Sequence, residues 1–305
     1  MKSLQLHHSD NLEIMAKMPD ESIDIICIDP PYLYLKNQKL ERPFNERLFF
    51  LECKRLLTKN GFIVMFGRGT SFYRWNTILD GLGFTFKEEI VWDKRRTSSP
   101  LAVIGRVHET ITIYCKGFCE LNKVKVPYLE AKTDITAIIQ DIKRIKPILN
   151  NIQELQDVEN YLKKGVLQKR YGRDRLSASV SSKINTPSPC ANTVRAIKEG
   201  HLEKTIIQSV SSRKNTIHPT QKPVRLLERL LKLVIPMKKD KIVVADWFAG
   251  SFSCCEAVIN LQAEFTEKEF EFIGTEIDEE YYNLGKNRIQ NLKPNLFTQN
   301  QKNKL

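Results

Sequence analysis

Short apolar runs alternate with segments of helical periodicity, and this alternation constrains the fold more than any other feature of the 305-residue sequence. Residues 23–28 (IDIICI) predict a buried strand, because the run is short, β-branched and stopped by two prolines. Leucine spacing over 44–59 predicts a helix that ends near Asn60 and Gly61, and residues 62–66 (FIVMF) predict the next strand. We therefore expect an α/β, Rossmann-like doubly wound fold with a mostly parallel sheet.

The alternation is interrupted once. Strand signals fade after about 117, and the α/β pattern resumes in the last third of the chain with apolar strand patterns at 241–246 and 270–276. This predicts one α/β domain formed by residues 1–117 and 214–305, with an inserted, mostly helical region over 118–213.

Within the insertion, residues 134–164 predict two helices separated at Pro147, with Asn150 or Asn151 capping the second and Gly165 ending it. Five isoleucines share one face of the first helix, and we expect this stripe to pack on the neighbouring helix. The stripe comprises Ile135, Ile138, Ile139, Ile142 and Ile145.

The chain carries a formal net charge of +12 and has a pI near 9.3, which favours a polyanionic partner. Basic residues are dense over 163–183, where a phosphate-binding surface and a solvated loop are both open interpretations. A second basic cluster follows the strand pattern of 88–92. The candidate DNA contacts are Lys169, Arg170, Arg173 and Arg175 in the first cluster, and Lys94, Arg95 and Arg96 in the second.

Cysteine and hydropathy patterns exclude several classes of protein. The seven cysteines form no CxxC pair, which argues against a zinc site or a disulfide framework, and no metal is expected. The amino terminus lacks the apolar core of a signal peptide, and no apolar run approaches the roughly 20 residues that span a bilayer. We expect a cytoplasmic protein with no membrane association.

The tetrapeptide Asp29-Pro30-Pro31-Tyr32 is the sharpest chemical signal in the sequence. It follows a buried strand, and the carboxyl ends of strands in open α/β sheets are where ligands bind. A base amine is a weak nucleophile, because its lone pair is delocalised into the ring. Hydrogen bonds from its protons to Asp29 and to the Pro30 carbonyl would favour a pyramidal nitrogen, and Tyr32 would stack on the extruded base.

Four segments together resemble the DNA amino-methyltransferases: DPPY at 29–32, HPTQKP at 218–223, DWFAGS at 246–251 and GTEIDEEYY at 274–282. Their order resembles the circularly permuted class of this family, often called beta, whose target-recognition region lies between the two halves. The resemblance implies S-adenosylmethionine as cofactor, duplex DNA as substrate and a flipped target base. It also implies that residues 118–213 form the target-recognition region.

The same resemblance implies a set of cofactor-binding residues. Gly250 would allow close backbone approach to the methionine end, Glu276 would bind the ribose hydroxyls, and Asp278 would lie near the adenine. Asp10 would also touch the adenine, and His218, Thr220 and Lys222 would close over the methionine moiety. The turn that contains Gly250 contributes Asp246, Phe248 and Ser251 as well.

Two positions depart from the family pattern D-P-F-x-G-S-G. Trp247 replaces the proline, and Phe252 replaces the last glycine. If that position requires a positive φ, a phenylalanine there is strained.

Aspartate at the head of the PPY motif favours adenine N6 as the target. Cytosine N4 is the nearest alternative, and a catalytically silent nucleic-acid-binding relative is the alternative from another class. A homodimer and a companion restriction endonuclease are left open by the sequence.

Overall fold

The computed structural model describes residues 3–33, 41–97, 103–132, 134–167, 169–170, 186–210 and 216–292. The chain divides into two compact units. The larger unit contains Met1–Asn122 and Lys204–Leu305, and the smaller unit contains Lys123–Glu203.

The strands and helices are numbered along the chain. The strands are β1 Ser3–His8, β2 Ile23–Ile28, β3 Leu57–Gly67, β4 Thr85–Asp93, β5 His108–Cys115, β6 Lys125–Val126, β7 Lys169–Arg170, β8 Thr186–Pro187, β9 His201–Leu202, β10 Ile206–Gln208, β11 Lys241–Asp246 and β12 Glu269–Glu276. The helices are α1 Asn11–Met15, α2 Glu46–Leu56, α3 Gly69–Gly81, α4 Tyr128–Ala131, α5 Ile135–Ile145, α6 Ile152–Lys164, α7 Pro189–Glu199, α8 Val224–Val234, α9 Ser253–Glu264 and α10 Glu279–Gln290, with a 3₁₀ helix at Lys146–Asn150.

The larger unit is built on an eight-stranded sheet of the described residues, in the order β1-β12-β11-β2-β3-β5-β4-β10. Of these strands, only β5 runs antiparallel to its neighbours. All six residues of β2 are buried, as expected for a strand near the middle of a covered sheet. The predicted mostly parallel α/β fold is confirmed.

The strand order reverses between β11 and β2, which are hydrogen-bonded neighbours with Val244 opposite Ile25. From β2 the chain continues to β3 on one side, and from β11 it continues to β12 on the other. Such a reversal leaves a crevice at the carboxyl ends of the two strands. Because β5 is antiparallel, its first residues lie at this same edge.

The smaller unit confirms the predicted local signals. The Asn151 side chain caps α6 by accepting from the backbone N–H groups of Gln153 and Glu154. Gly165 ends that helix with a left-handed φ of 68°, a conformation that favours glycine.

The expected packing of the isoleucine stripe on α5 is wrong for three of its five residues, whereas Ile138 and Ile145 are half-buried. Ile135, Ile139 and Ile142 are 73%, 45% and 60% exposed. The buried residue of α5 is Asp141, whose carboxylate accepts from the Tyr128 hydroxyl at 2.8 Å. With Asp141 buried, the side of α5 that carries Ile135, Ile139 and Ile142 points outward.

The smaller unit is shorter than the expected insertion at both ends. On one side, the Asn122 amide donates to the carbonyl oxygens of Lys232 and Ile235, within the larger unit. On the other side, β10 pairs with β4 and extends the main sheet. Among the described residues, no helix is long and apolar enough to cross a membrane.

Candidate active site

A cavity of about 210 Å³ lies at the carboxyl ends of β2, β11 and β12. All the residues expected at the target base and the cofactor line it. They are Asp10, Asp29, Pro30, Pro31, Tyr32, His218, Thr220, Lys222, Asp246, Phe248, Gly250, Ser251, Glu276 and Asp278. The topological crevice thus brings together segments that are far apart in the sequence.

At one end of the cavity, the Asp29 carboxylate is held by two partners. The Tyr32 hydroxyl donates to Oδ1 at 2.6 Å, and Lys222 Nζ lies 2.5 Å from Oδ2. Burial raises the pKa of Asp29 above its usual range, although the Lys222 charge acts to lower it. The pKa of Lys222 is raised despite its burial, because two carboxylates surround it.

The second of these carboxylates belongs to Glu109, which the sequence analysis did not identify. Its Oε2 lies 3.1 Å from Lys222 Nζ, and the Lys222 side chain is 8% exposed. Lys222 was expected at the methionine moiety, but its ammonium group contacts the carboxylates of Asp29 and Glu109. In the sequence, Glu109 is marked only as an acidic residue near the start of a predicted strand. It reaches the site because β5 runs antiparallel to its neighbours.

Lys94 also occupies an unexpected position. It was expected on the DNA surface, but its ammonium forms an ion pair with Glu109, and its side chain is 15% exposed. Burial acts to raise the pKa of Glu109, but Lys222 and Lys94 together lower it below its usual value. Lys94 therefore lies beside the site with its ammonium in an internal ion pair, and its contact with DNA stays a prediction.

The other end of the cavity is formed by the turn after β11. Gly250 has a φ of 49°, and a Cβ there would lie 3.3 Å from His218 Nε2. Both facts favour glycine at this position. The Gly250 N–H donates to Glu276 Oε2 at 2.8 Å, and the Asp278 N–H donates to Oε1 at the same distance. Burial raises the pKa of Glu276.

Phe252 adopts the left-handed conformation that the family pattern assigns to glycine, with φ 55° and ψ 33°. Its ring is fully buried. Two glycines make room for it: a Cβ on Gly274 would lie 2.9 Å from Phe252 Cε1, and one on Gly285 would lie 2.5 Å from Cδ2. The turn therefore retains its geometry, and the phenylalanine ring is accommodated behind it.

Trp247, the other departure, is 1% exposed and belongs to the core below the cavity. Its backbone carbonyl accepts from the Asn11 amide at 3.2 Å and from the Thr275 hydroxyl at 2.9 Å. These two side chains fix the turn after β11 from behind, and sequence reasoning did not identify either of them.

Buried acidic groups characterise the cavity. Burial raises the pKa of Asp246 to about 8, and the negative charges of Asp29 and Glu276 contribute to this shift. His218 is neutral near pH 7, because burial and the Lys222 charge lower its pKa to about 4. A buried group of carboxyls of this kind favours a ligand that carries positive charge.

Asp10 and Asp278 line the cavity and also cap helices. Asp10 accepts from the Leu12 N–H in α1, and Asp278 accepts from the Glu280 and Tyr281 N–H groups in α10. Arg42 Nη2 lies 3.3 Å from Asp278 Oδ2 and adds a basic residue to the cavity wall.

Two of the remaining DNA-surface candidates, Arg95 and Arg96, lie outside the cavity lining. Arg95 and Arg96 are exposed, and Arg95 donates to Gln208 Oε1 at 2.5 Å. The backbones of Lys169 and Arg170 form β7, which pairs with β8. Arg173 and Arg175 lie outside the described residues.

A Rossmann-like sheet with Asp29–Tyr32 after β2 and Glu276 at the end of β12 is the arrangement that the resemblance to the amino-methyltransferases implied. The family model described as DNA methylase, N6_N4_Mtase, matches residues 23–287, and the chain belongs to this family of DNA methyltransferases.

Similar proteins agree with this assignment. The chain is 25% identical to the type II methyltransferase M.HinfI of Haemophilus influenzae, over 94% of this chain and 68% of that protein. It is 24% identical to the DNA adenine methyltransferase YhdJ of Escherichia coli (strain K12), over 92% and 81%.

Two solved structures show the same fold. The PvuII DNA methyltransferase, described as cytosine-N4-specific, has a TM-score of 0.54 at 14% identity and covers 98% of this chain and 90% of its own. The M1.HpyAVI–SAM complex has a TM-score of 0.51 at 18% identity, with coverage of 93% and 99%.

Proposed function

We propose that this protein transfers a methyl group from S-adenosylmethionine to the N6 amino group of a flipped adenine in DNA. The observation that carries the proposal is the Asp29 carboxylate, which faces Tyr32 at one end of a cavity whose other end holds Gly250 and Glu276. A base at Asp29 and a methyl donor at Glu276 would meet inside this single cavity.

Asp29 would accept a hydrogen bond from the target amine. In the structure, Oδ1 is engaged by the Tyr32 hydroxyl. Entry of a base would replace that hydroxyl with an amine proton and free the Tyr32 ring to stack on the base. Together with the Pro30 carbonyl, Asp29 would direct the nitrogen lone pair toward the methyl group. S-adenosylmethionine would supply the methyl group: the N–C bond would form as the C–S bond broke with its electron pair left on sulfur, and the nitrogen would release one proton to water.

The residues at the other end of the cavity fit S-adenosylmethionine, which supplies an electrophilic methyl group on a positively charged sulfur. The buried carboxyls of Asp246 and Glu276 favour a cationic ligand. Glu276 stands at the end of β12, where acidic residues of nucleotide-binding units bind ribose hydroxyls. Gly250 keeps the backbone open for close approach.

Adenine is favoured over cytosine by the aspartate at position 29 and by the adenine specificity in the name of one relative, YhdJ. The test is to incubate purified protein with duplex DNA and methyl-labelled S-adenosylmethionine, and then to analyse the nucleosides by mass spectrometry. N6-methyldeoxyadenosine supports the proposal. N4-methyldeoxycytidine would establish the cytosine alternative, and absence of both product and cofactor binding would establish a silent DNA-binding relative.

Asp29→Ala is the matching variant. We expect its methyl-transfer rate to fall by at least about 100-fold, because a preorganised acceptor is lost. DNA binding should be largely retained, since Asp29 contacts the amine and no phosphate. A rate within about tenfold of the wild type would remove Asp29 from the proposed role.

A further inference from the structure

We propose that Lys222, anchored by Glu109, is a positioning residue that keeps the Asp29 carboxylate ionised and fixed in direction for the target amine. The inference rests on the proposed function, because Asp29 must be the group that receives the amine. The role of Lys222 thereby moves from the cofactor to the target base, and Glu109 becomes part of the catalytic apparatus.

The geometry is a chain of alternating charges. Starting from the base site, Lys222 Nζ lies 2.5 Å from Asp29 Oδ2 and 3.1 Å from Glu109 Oε2, and Glu109 is also paired with Lys94. The side chains are 20%, 8%, 12% and 15% exposed for Asp29, Lys222, Glu109 and Lys94. Two carboxylates and two ammonium groups balance, so the cluster contains no uncompensated buried charge.

Lys222 has a specific effect on Asp29. Burial favours the neutral acid, which would offer a proton where the amine requires an acceptor. The Lys222 ammonium opposes this effect and occupies Oδ2, which leaves Oδ1 for the incoming amine. The apolar rings of Phe66 and Trp92 lie 5.1 and 6.0 Å from Nζ. They limit the positions that the ammonium can adopt.

Glu109 acts through Lys222. Its carboxylate holds the far side of the ammonium, and its own negative charge acts directly on Asp29 in the opposite sense from Lys222. The other ionisable groups near Asp29 are Tyr32, which donates to it, and Asp246 on β11. His218 lies on the segment before Lys222 and is affected by its charge.

Because the Lys222 charge lowers the pKa of Asp29 and the Glu109 charge raises it, replacing each residue should shift this pKa in opposite directions. In Lys222→Met the pKa of Asp29 should rise, and the acidic limb of the methyl-transfer rate should move to higher pH. In Glu109→Gln the pKa of Asp29 should fall, and the limb should move to lower pH. The single-turnover rate at the plateau should fall in Glu109→Gln by about tenfold or more, because Lys222 loses its anchor. Affinity for S-adenosylmethionine should not change in this variant.

The pKa of Asp29 is also measured without activity, by titrating the side-chain carboxyl of ¹³C-aspartate-labelled protein. The Asp29 signal is identified by its loss in Asp29→Asn. Lys116→Met is the matched control: Lys116 follows the other end of β5 and lies 3.3 Å from Glu21 Oε1. It should leave the Asp29 titration and the rate profile unchanged.

Shifts of the Asp29 titration in opposite directions support the inference, even if the protein fails to methylate adenine. Identical titrations in wild type, Lys222→Met and Glu109→Gln would overturn it. If Lys222→Met does not fold, the double variant Lys222→Met/Glu109→Gln removes one of the two unpaired carboxylates, and its Asp29 pKa should exceed that of Glu109→Gln alone. An equal or lower value would also overturn the inference.

Discussion

Glu276 illustrates how a single carboxylate serves both the fold and a ligand. Its two oxygens accept from the N–H groups of Gly250 and Asp278, and so join the turn after β11 to the start of α10. Carboxylate oxygens have lone pairs beyond those used here, so the same group can also accept from the ribose hydroxyls.

Replacing Glu276 with alanine should weaken binding of S-adenosylmethionine by about 1.5–3 kcal/mol, the usual value for hydrogen bonds to a charged group. This corresponds to an increase in Kd of about 10- to 150-fold. Calorimetry or labelled-cofactor binding measures it. Exposed Glu279→Ala, three residues further on, is the control. An unaltered Kd in Glu276→Ala would exclude Glu276 from the cofactor site.

Asp246 makes stability depend on pH. Its pKa is raised from 3.8 to about 8 in the folded protein. The folded state therefore holds a proton that the unfolded chain loses at lower pH, and the stability contribution of this group declines as pH rises toward 8. The asparagine of Asp246→Asn cannot ionise, so the stability of this variant relative to the wild type should increase as pH rises from 6 to 9.

Thermal melts of the ligand-free protein across this pH range test the point. We expect the Tm of Asp246→Asn minus that of the wild type to increase by about 2 °C or more over this range, which corresponds to about 1 kcal/mol. Asp240→Asn, at an exposed aspartate just before the same strand, should show no such trend. A constant Tm difference between Asp246→Asn and wild type would contradict the raised pKa.

At the level of elements, the turn after β11 and helix α10 are adapted to each other through Phe252. A left-handed phenylalanine costs about 1–2 kcal/mol relative to glycine. It persists because its ring fills a space that Gly274 and Gly285 leave open. The glycine missing from the turn is thus balanced by glycines elsewhere in the fold.

Gly285→Ala should reverse the usual effect of this substitution. Alanine in a helix is normally favoured over glycine by about 0.5–1 kcal/mol. Here the new Cβ would lie 2.5 Å from Phe252 Cδ2 and 3.1 Å from the Gly250 carbonyl oxygen. We expect a loss of about 1–3 kcal/mol in unfolding free energy. Denaturant titration measures it.

Gly81→Ala is the control, since a Cβ at this helical position meets nothing within 4 Å. It should leave stability unchanged or increase it. A double-mutant cycle with Phe252→Ala should show coupling between positions 285 and 252. Additive effects would show that the two residues do not compete for the same space.

The elements that could be predicted from sequence are those with local signals. The apolar run 23–28 before two prolines, the Asn151 cap and the Gly165 stop each depend on neighbouring residues only. Glu109 could not be found in this way, because its place at the site depends on the order and direction of strands. Three isoleucines of α5 were assigned to the interior incorrectly for a related reason. An apolar stripe indicates an amphipathic helix, but the orientation of α5 also depends on the burial of Asp141.

On the scale of the whole molecule, the net charge of +12 favours binding to a polyanion such as DNA. Lys222 and Lys94 form internal ion pairs with Asp29 and Glu109, so we expect the phosphate contacts to come from other basic residues. We propose that the basic stretch 163–183 contributes them, together with Arg95 and Arg96.

Neutralising four of the seven basic residues of that stretch should weaken duplex binding and flatten its salt dependence. Each lost phosphate contact removes about 0.9 from the slope of log K against log salt. Cofactor affinity should remain unchanged. Fluorescence anisotropy at several salt concentrations provides the measurement for the quadruple variant of Lys169, Arg170, Arg173 and Arg175.

Three exposed lysines near the amino ends of the strands provide a comparison: Lys17, Lys59 and Lys238. The quantity compared is the change in the salt slope for each charge removed. Their neutralisation should alter the slope much less. Equal effects per charge for the two sets would mean that 163–183 acts only as a solvated loop, and Arg95 and Arg96 would be the next residues to test.

The chain passes between the two units twice, and the positions of these two points affect how the protein can evolve. The Glu203 N–H donates to the Val124 carbonyl at 3.0 Å, so the smaller unit begins and ends at nearly the same point. A segment with adjoining ends can be exchanged as one cassette without altering the order of strands in the sheet. If the smaller unit reads the DNA sequence, recombination at these two points would give new specificities to an unchanged catalytic scaffold.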